Sequence, residues 1–233
     1  MPKAFASDAS KNSMSAIILF HGFGANAWDL ASIAEYYQQC NVGDTHRNYV
    51  WIFPQGFLNL AGLGMDYNQR AWFPIALERL MSLRSSTPDV LSEQIIPSSQ
   101  EIFSNLKAFV DSLSQLEVQK IILGGFSQGA TVAYHLLPLL VREKNVLVEG
   151  LVLFSTVSID FHRYHNLWSK NVEFQSLKFL LQSHGKNDEL LAFSEGKKLF
   201  SYLSPFFQQN KFIEFYGGHA LPENVLTTFF TNL

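Results

Sequence analysis

The sequence predicts an α/β protein built on a mostly parallel, doubly wound sheet with helices on both faces. Three observations lead there. Runs such as Ala16-Ile17-Ile18-Leu19-Phe20 and Ile121-Ile122-Leu123 are continuously apolar, as expected of strands buried on both faces. Amphipathic helical stretches stand between them. The alternation of the two persists to the end of the chain, the pattern of crossover helices laid over a parallel sheet. Residues 1–233 are expected to form one domain, with 1–14 a poorly ordered or edge segment.

Taken in order, Ala16 to Phe20 is the first strand. Asn26 can cap a helix running to Gln39, with Leu30, Ile33, Ala34 and Tyr37 along one side. Tyr49 to Phe53 is a second strand, stopped by Pro54. The stretch 55–75 carries Gly56, Asn59, Gly62, Gly64 and Asn68 and reads as a long loop, which is more often functional than filler. Helices are expected over Ile75 to Leu83, where Ala76, Leu77, Leu80 and Met81 make a stripe, and over Ser98 to Leu116. A strand from Lys120 to Gly124 leads into a helix over about residues 129–141. Gly150 to Phe154 and Phe179 to Gln182 are strands, and Phe193 to Gln208 is a helix with Leu199, Tyr202, Leu203 and Phe206 inward. Lys211 to Phe215 is the last strand, and Pro222 opens a closing helix to Asn232.

Composition removes several classes of function. Apolar residues make up 47% of the chain and charged ones 16%, which excludes disorder. A net charge of −3 offers no electrostatic footprint for nucleic acid and no polybasic membrane patch. The single cysteine, Cys40, allows no internal disulfide and suits a reducing compartment; with no signal-peptide pattern and no stretch of membrane-spanning length, a cytoplasmic protein is expected. The 21 phenylalanines point to a ring-rich core or groove. An exposed aromatic groove would fit a homodimer, a membrane surface or a lipid chain equally well.

The chemistry gathers at Gly125-Phe126-Ser127-Gln128-Gly129, directly after a buried strand and before a helical pattern. That is the layout of a nucleophile elbow, a tight turn that exposes the serine hydroxyl at the carboxyl end of a sheet. Glycines two residues either side are needed because a Cβ there would strike the neighbouring strand and helix. A serine hydroxyl needs a base, and the base an orienting carboxylate. Two later strand ends supply them: His184-Gly185-Lys186-Asn187-Asp188 and Tyr216-Gly217-Gly218-His219. His219 is the expected base, because two glycines let the backbone swing it over the elbow. His46, His135, His162 and His165 lack a strand end nearby, and His21 and His184 are expected to pack against their turns. Asp188 is the expected acid, with Asp160, after the Gly150 strand, and the adjacent Glu189 as alternatives. The order Ser127, Asp188, His219 is that of α/β-hydrolases. Oxyanion donors are expected from the backbone N–H of Gln128, at a helix start, and of Phe23 in the first βα loop. No His-x-x-x-His or paired-cysteine spacing occurs, His162/His165 beside Asp160 is a weak metal pattern, and no cofactor is expected.

Together these pieces resemble the phospholipase/carboxylesterase group of α/β-hydrolases, which includes acyl-protein thioesterases and small carboxylesterases. The matching segments are Leu19 to Gly24, Phe53-Pro54-Gln55, Arg70-Ala71-Trp72-Phe73, Gly124 to Gly129, His184-Gly185 with Asp188, and Gly218-His219. The resemblance implies a compact hydrolase without a large cap domain, a Ser127–Asp188–His219 triad and an oxyanion hole from Phe23 and Gln128. It also implies an acyl channel bordered by Trp72 and Phe73, with Leu77, Leu80 and Met81 near it. The chain departs from the pattern at Pro74, where an aspartate is usual, at Glu189-Leu190-Leu191, where valines are usual, and at Phe23, where a smaller aliphatic residue is common. The expected activity is a serine esterase acting on small-molecule or lipid esters or thioesters with apolar acyl groups. The alternatives are an acyl-protein thioesterase or lysophospholipase using the same triad, and, remotely, a non-catalytic binding protein.

Overall fold

The computed structural model of the protein describes residues 14–40, 49–75, 109, 111, 118–143, 147–158, 166, 168–173 and 175–233. Eight strands are found there: β1 Met14–Phe20, β2 Tyr49–Ile52, β3 Leu58–Asn59, β4 Arg70–Ala71, β5 Val118–Phe126, β6 Leu147–Phe154, β7 Leu177–Gly185 and β8 Phe207–Phe215. The α-helices described as whole elements are α1 Ser32–Gln39, α2 Gln128–Glu143, α3 Phe193–Leu203 and α4 Glu223–Phe230. The helices expected over Ile75 to Leu83 and Ser98 to Leu116 fall almost entirely outside the described residues; so do residues 1–13, and with them the expectation for the N-terminal segment.

Six strands form one sheet in the order β2-β1-β5-β6-β7-β8, with every neighbour parallel. Strand alternation sorts the apolar runs to its two faces. Ala16, Ile18 and Phe20 of β1 join Leu123, Leu153, the α2 residues Ala133 and Leu137, and Leu199 and Leu203 of α3. Ile17 and Leu19 point the other way, to Ile33 and Tyr37 of α1 and Val225 and Phe229 of α4. Each fully buried Leu, Ile or Phe stabilises the fold by about 1.5–3 kcal/mol. That two-sided burial is why the runs carry no polar positions. The chain first moves outward from β1 to β2, then returns to place β5 on the other side of β1 and continues to β8. The strand order therefore reverses between β1 and β5, and the crevice outside the carboxyl ends of such a pair is where ligands bind in open α/β sheets.

Several local expectations shift by a turn. Asn26 does cap, accepting from Trp28 N–H at 2.9 Å, but it starts a 3₁₀ turn over Ala27–Leu30, and α1 follows from Ser32. The loop 55–75 holds the antiparallel β3–β4 pair and a 3₁₀ turn at Ala61–Leu63. The helix expected to reach Gln208 ends at Leu203, and Phe207 already belongs to β8. Pro205 explains it: it sits in the first turn of a short 3₁₀ segment, Ser204–Phe206, and cannot donate the N–H that would continue α3. With the helix cut there, Leu199 and Leu203 carry the inward face and Tyr202 turns outward at 43% exposure. Pro222 is the residue before α4 rather than in its first turn.

Pro138 lies inside α2. A proline there has no N–H for the carbonyl four residues earlier, which is Tyr134 O. The buried Trp168 indole fills the gap, its Nε1–H donating to Tyr134 O at 3.0 Å. Trp168→Phe is expected to strand that carbonyl at a cost of about 2 kcal/mol, lowering Tm by about 4–8 °C. A thermal melt checks it, and an unchanged Tm would show that the bond is dispensable.

Candidate active site

Ser127 follows the last residue of β5 and precedes the first of α2. Its φ is 54°, a left-handed conformation that costs a non-glycine residue of order 1–3 kcal/mol. Its N–H is tied to Phe154 O of β6 at 2.8 Å. The flanking glycines are required by contact: a Cβ on Gly125 would come within 2.6 Å of Phe20 O, and one on Gly129 would be driven into the same carbonyl. Sheet and helix thus close on the turn from both sides, and the elbow expected from the pentapeptide is present.

The adjacent strands β7 and β8 carry Asp188 and His219 to the same edge. Their loops are stitched together by Lys186 N–H to Phe215 O (2.9 Å) and Asn187 N–H to Gly217 O (3.0 Å). His219 Nδ1 lies 2.8 Å from Asp188 Oδ2. Nδ1 faces an acceptor, so it is the ring nitrogen that donates in this pair. The His219 ring also packs on Phe126, the residue before Ser127, at a centroid distance of 4.9 Å. Asp160, the alternative acid, and His46, His162 and His165 lie outside the described residues. Glu189, the other alternative, is exposed.

Asp188 is well satisfied. Its side chain is fully buried, and Oδ1 accepts the N–H groups of Leu190 and Leu191 at 2.9 Å each. Burial pushes the carboxyl up, but the His219 hydrogen bond and the two backbone donors outweigh it and hold it below its ordinary value. His184 sits beneath it, buried, with Nε2 3.0 Å from Leu191 O and 3.3 Å from Asp188 Oδ2. Both neighbours are acceptors, so Nε2 carries the proton. Burial lowers the His184 pKa and keeps the ring a neutral donor.

The first βα loop is shaped by His21, also buried. Its Nε2 accepts Gly56 N–H at 2.9 Å, so Nδ1 holds the proton and donates to Gly22 O at 2.8 Å. Burial lowers this imidazole too. His21 and His184 therefore pack against their turns as expected. Phe23 follows in this loop and is half-buried. Gln128, as the first residue of α2, has a backbone N–H that no helical carbonyl can reach. Trp72 and Phe73, expected to border an acyl channel, are 3% and 1% exposed and belong to the core. The Trp72 ring meets Phe20 edge-on at 5.1 Å, and its Nε1–H is spent on His21 O. Leu77, Leu80 and Met81 lie outside the described residues.

Two residues near the site carried no prediction. Ser155, at the end of β6, has φ 47° and donates from Oγ to Ala220 O at 2.9 Å, anchoring the residue after His219. The Gln128 side chain, given only a backbone role, is buried and doubly bonded. A polar amide opening an apolar helix was its one sequence signal.

A parallel sheet with this order and an elbow at its reversal is the α/β-hydrolase fold, and among the described residues no large cap interrupts it. Solved structures agree. Esterase PE8 matches with a TM-score of 0.67 over 94% of this chain and 91% of that one at 20% identity. Zea mays acyl-protein thioesterase 2 matches at 0.62 over 95% and 94%, at 19% identity. The chain belongs to the phospholipase/carboxylesterase family, whose profile matches residues 2–232. Acyl-protein thioesterase 1 of Debaryomyces hansenii is 26% identical over 201 residues, covering 85% of this chain and 80% of that one. The protein is an ester-hydrolysing enzyme. No helix among the described residues is long and apolar enough to cross a membrane.

Proposed function

We propose that the protein is a cofactor-independent serine esterase in which Ser127, His219 and Asp188 act as a triad. The observation that carries this reading is the His219–Asp188 pair at 2.8 Å, its imidazole packed on the residue next to a strained serine. Ser127 Oγ attacks the acyl carbonyl while His219 Nε2 takes its proton. The N–H groups of Phe23 and Gln128 receive the oxyanion. The proton passes from His219 to the leaving alcohol or thiol, leaving Ser127 acylated. Water then attacks, with His219 again as base; the acyl–Oγ bond breaks, His219 returns the proton to Ser127 Oγ, and the free acid departs. Asp188 holds the tautomer and stabilises the imidazolium. No metal or redox partner enters these steps.

Carboxylic esters and thioesters with apolar acyl groups are the proposed substrates. The likeness to an acyl-protein thioesterase favours one narrower reading, thioesters on lipidated proteins. A fluorophosphonate probe is expected to modify Ser127 alone, as read by peptide mapping. No adduct there would end the reading of Ser127 as nucleophile. Rates on a chain-length series of p-nitrophenyl esters, acyl thioesters and lysophospholipids then separate the substrate classes. Equal kcat/KM for ester and thioester at each length would remove the case for a thioesterase.

A further inference from the structure

The oxyanion donors proposed above stand on different loops. Phe23 follows β1, and Gln128 follows β5. The ladder joining those strands ends at the pair Phe20–Gly125, short of both donors. Something beyond the sheet has to hold their separation.

A buried relay spans the gap. Gln128 Oε1 accepts Trp72 N–H at 2.9 Å, and its Nε2–H donates to Phe73 O at 2.7 Å. The Trp72 indole Nε1–H donates to His21 O at 2.8 Å, with its ring 5.1 Å from the imidazole. His21 Nδ1–H donates to Gly22 O, one residue before Phe23. Gln128, Trp72 and His21 are all buried, so each bond acts with little competition from water.

We infer that the Gln128 side chain is a positioning residue: through Trp72 and His21 it sets the spacing between the two N–H groups that receive the oxyanion. This rests on the triad reading above. The side chain touches no substrate; it acts through the loops. An amide is required because one planar group must accept from Trp72 N–H and donate to Phe73 O. Glutamate keeps the acceptor and turns a lone pair on the Phe73 carbonyl. Methionine keeps the approximate shape and loses both bonds.

The test compares Gln128→Met, Gln128→Glu and Trp72→Phe in the full chain, using p-nitrophenyl ester kinetics and an alkylboronic acid. The boronic acid adds Ser127 Oγ at boron, the proton passing to His219, and so mimics the tetrahedral intermediate. Gln128→Met is expected to lower kcat about 10- to 100-fold, because small misplacements of a preorganised donor are costly. KM should stay within about threefold, and boronate affinity should fall in step with kcat/KM. For Gln128→Glu, the rate relative to wild type should rise as pH falls, because a protonated carboxyl regains an O–H donor for Phe73 O. The ratio cancels protonation of the base, which both proteins share. Gln128→Met combined with Trp72→Phe should lose no more than Gln128→Met alone, since both cut one relay.

A folded Gln128→Met with wild-type kcat, or a loss confined to KM, overturns the inference. So does a falling kcat with boronate affinity intact, or, if Gln128→Met fails to fold, a pH-independent Gln128→Glu ratio. Failure of the triad reading looks different: Ser127→Ala would keep its turnover, and the boronic acid would bind neither protein.

Discussion

Ser127→Ala is expected to lower kcat by about six orders of magnitude with little change in KM, because members of a triad act as a unit. In the proposed mechanism the hydroxyl oxygen forms the acyl-enzyme, and its neighbours cannot replace it. His219 would retain its carboxylate and the loops their oxyanion donors, so a residual rate of about 10³–10⁴ over water is expected from binding and electrostatics. Stability should hardly move, because alanine can occupy the Ser127 position without adding an atom; only the strained φ of 54° remains to be borne. Turnover of p-nitrophenyl esters by purified mutant, with a melt to confirm folding, decides it. Near-normal turnover would place the nucleophile elsewhere.

Asp188→Asn is expected to cost about 10⁴ in kcat. The amide oxygen would stay with the Leu190 and Leu191 N–H groups, leaving the NH₂ towards His219 Nδ1 and His184 Nε2. An NH₂ donor cannot face Nδ1–H, so His219 must move its proton to Nε2, the atom proposed as base. KM should change little, and a loss lodged in KM would argue against the role. The same variant has a stability signature. The carboxyl lies below its reference value of 3.8 in the folded protein. A depressed carboxylate contributes stability that is present above the unfolded pKa and is lost as pH falls towards the folded one. Wild type should therefore lose this contribution below about pH 4. Asp188→Asn should be less stable at neutral pH and show a flatter acid limb in denaturant melts, and a parallel limb would contradict the pairing.

Most of the sheet was legible because strands buried on both faces have no polar positions to confuse the period. β1, β5, β6 and β7 are longer than the expected strands by two to five residues, since backbone pairing continues past the end of the apolar run. The α3–β8 boundary was misjudged because Phe206 and Phe207 continue a helical spacing while Pro205 has already ended the helix. Trp72 and Phe73, which the resemblance sets beside an acyl channel, are almost fully buried. Nothing local reveals that Gln128 and His21 take up their polar groups.

The elbow, the first βα loop and the order of Ser127, Asp188 and His219 are local patterns, set by where glycines permit tight turns and where apolar runs stop. They could be read from the chain with no partner in view. The 2.8 Å contact between Asp188 and His219, the hydrogen bonds of the buried histidines at 21 and 184, the strained Ser155 under Ala220 and the Gln128 relay could not. Each depends on hydrogen bonds between residues far apart in the chain, and a donor's partner is decided only when packing has excluded water and left it one acceptor within reach.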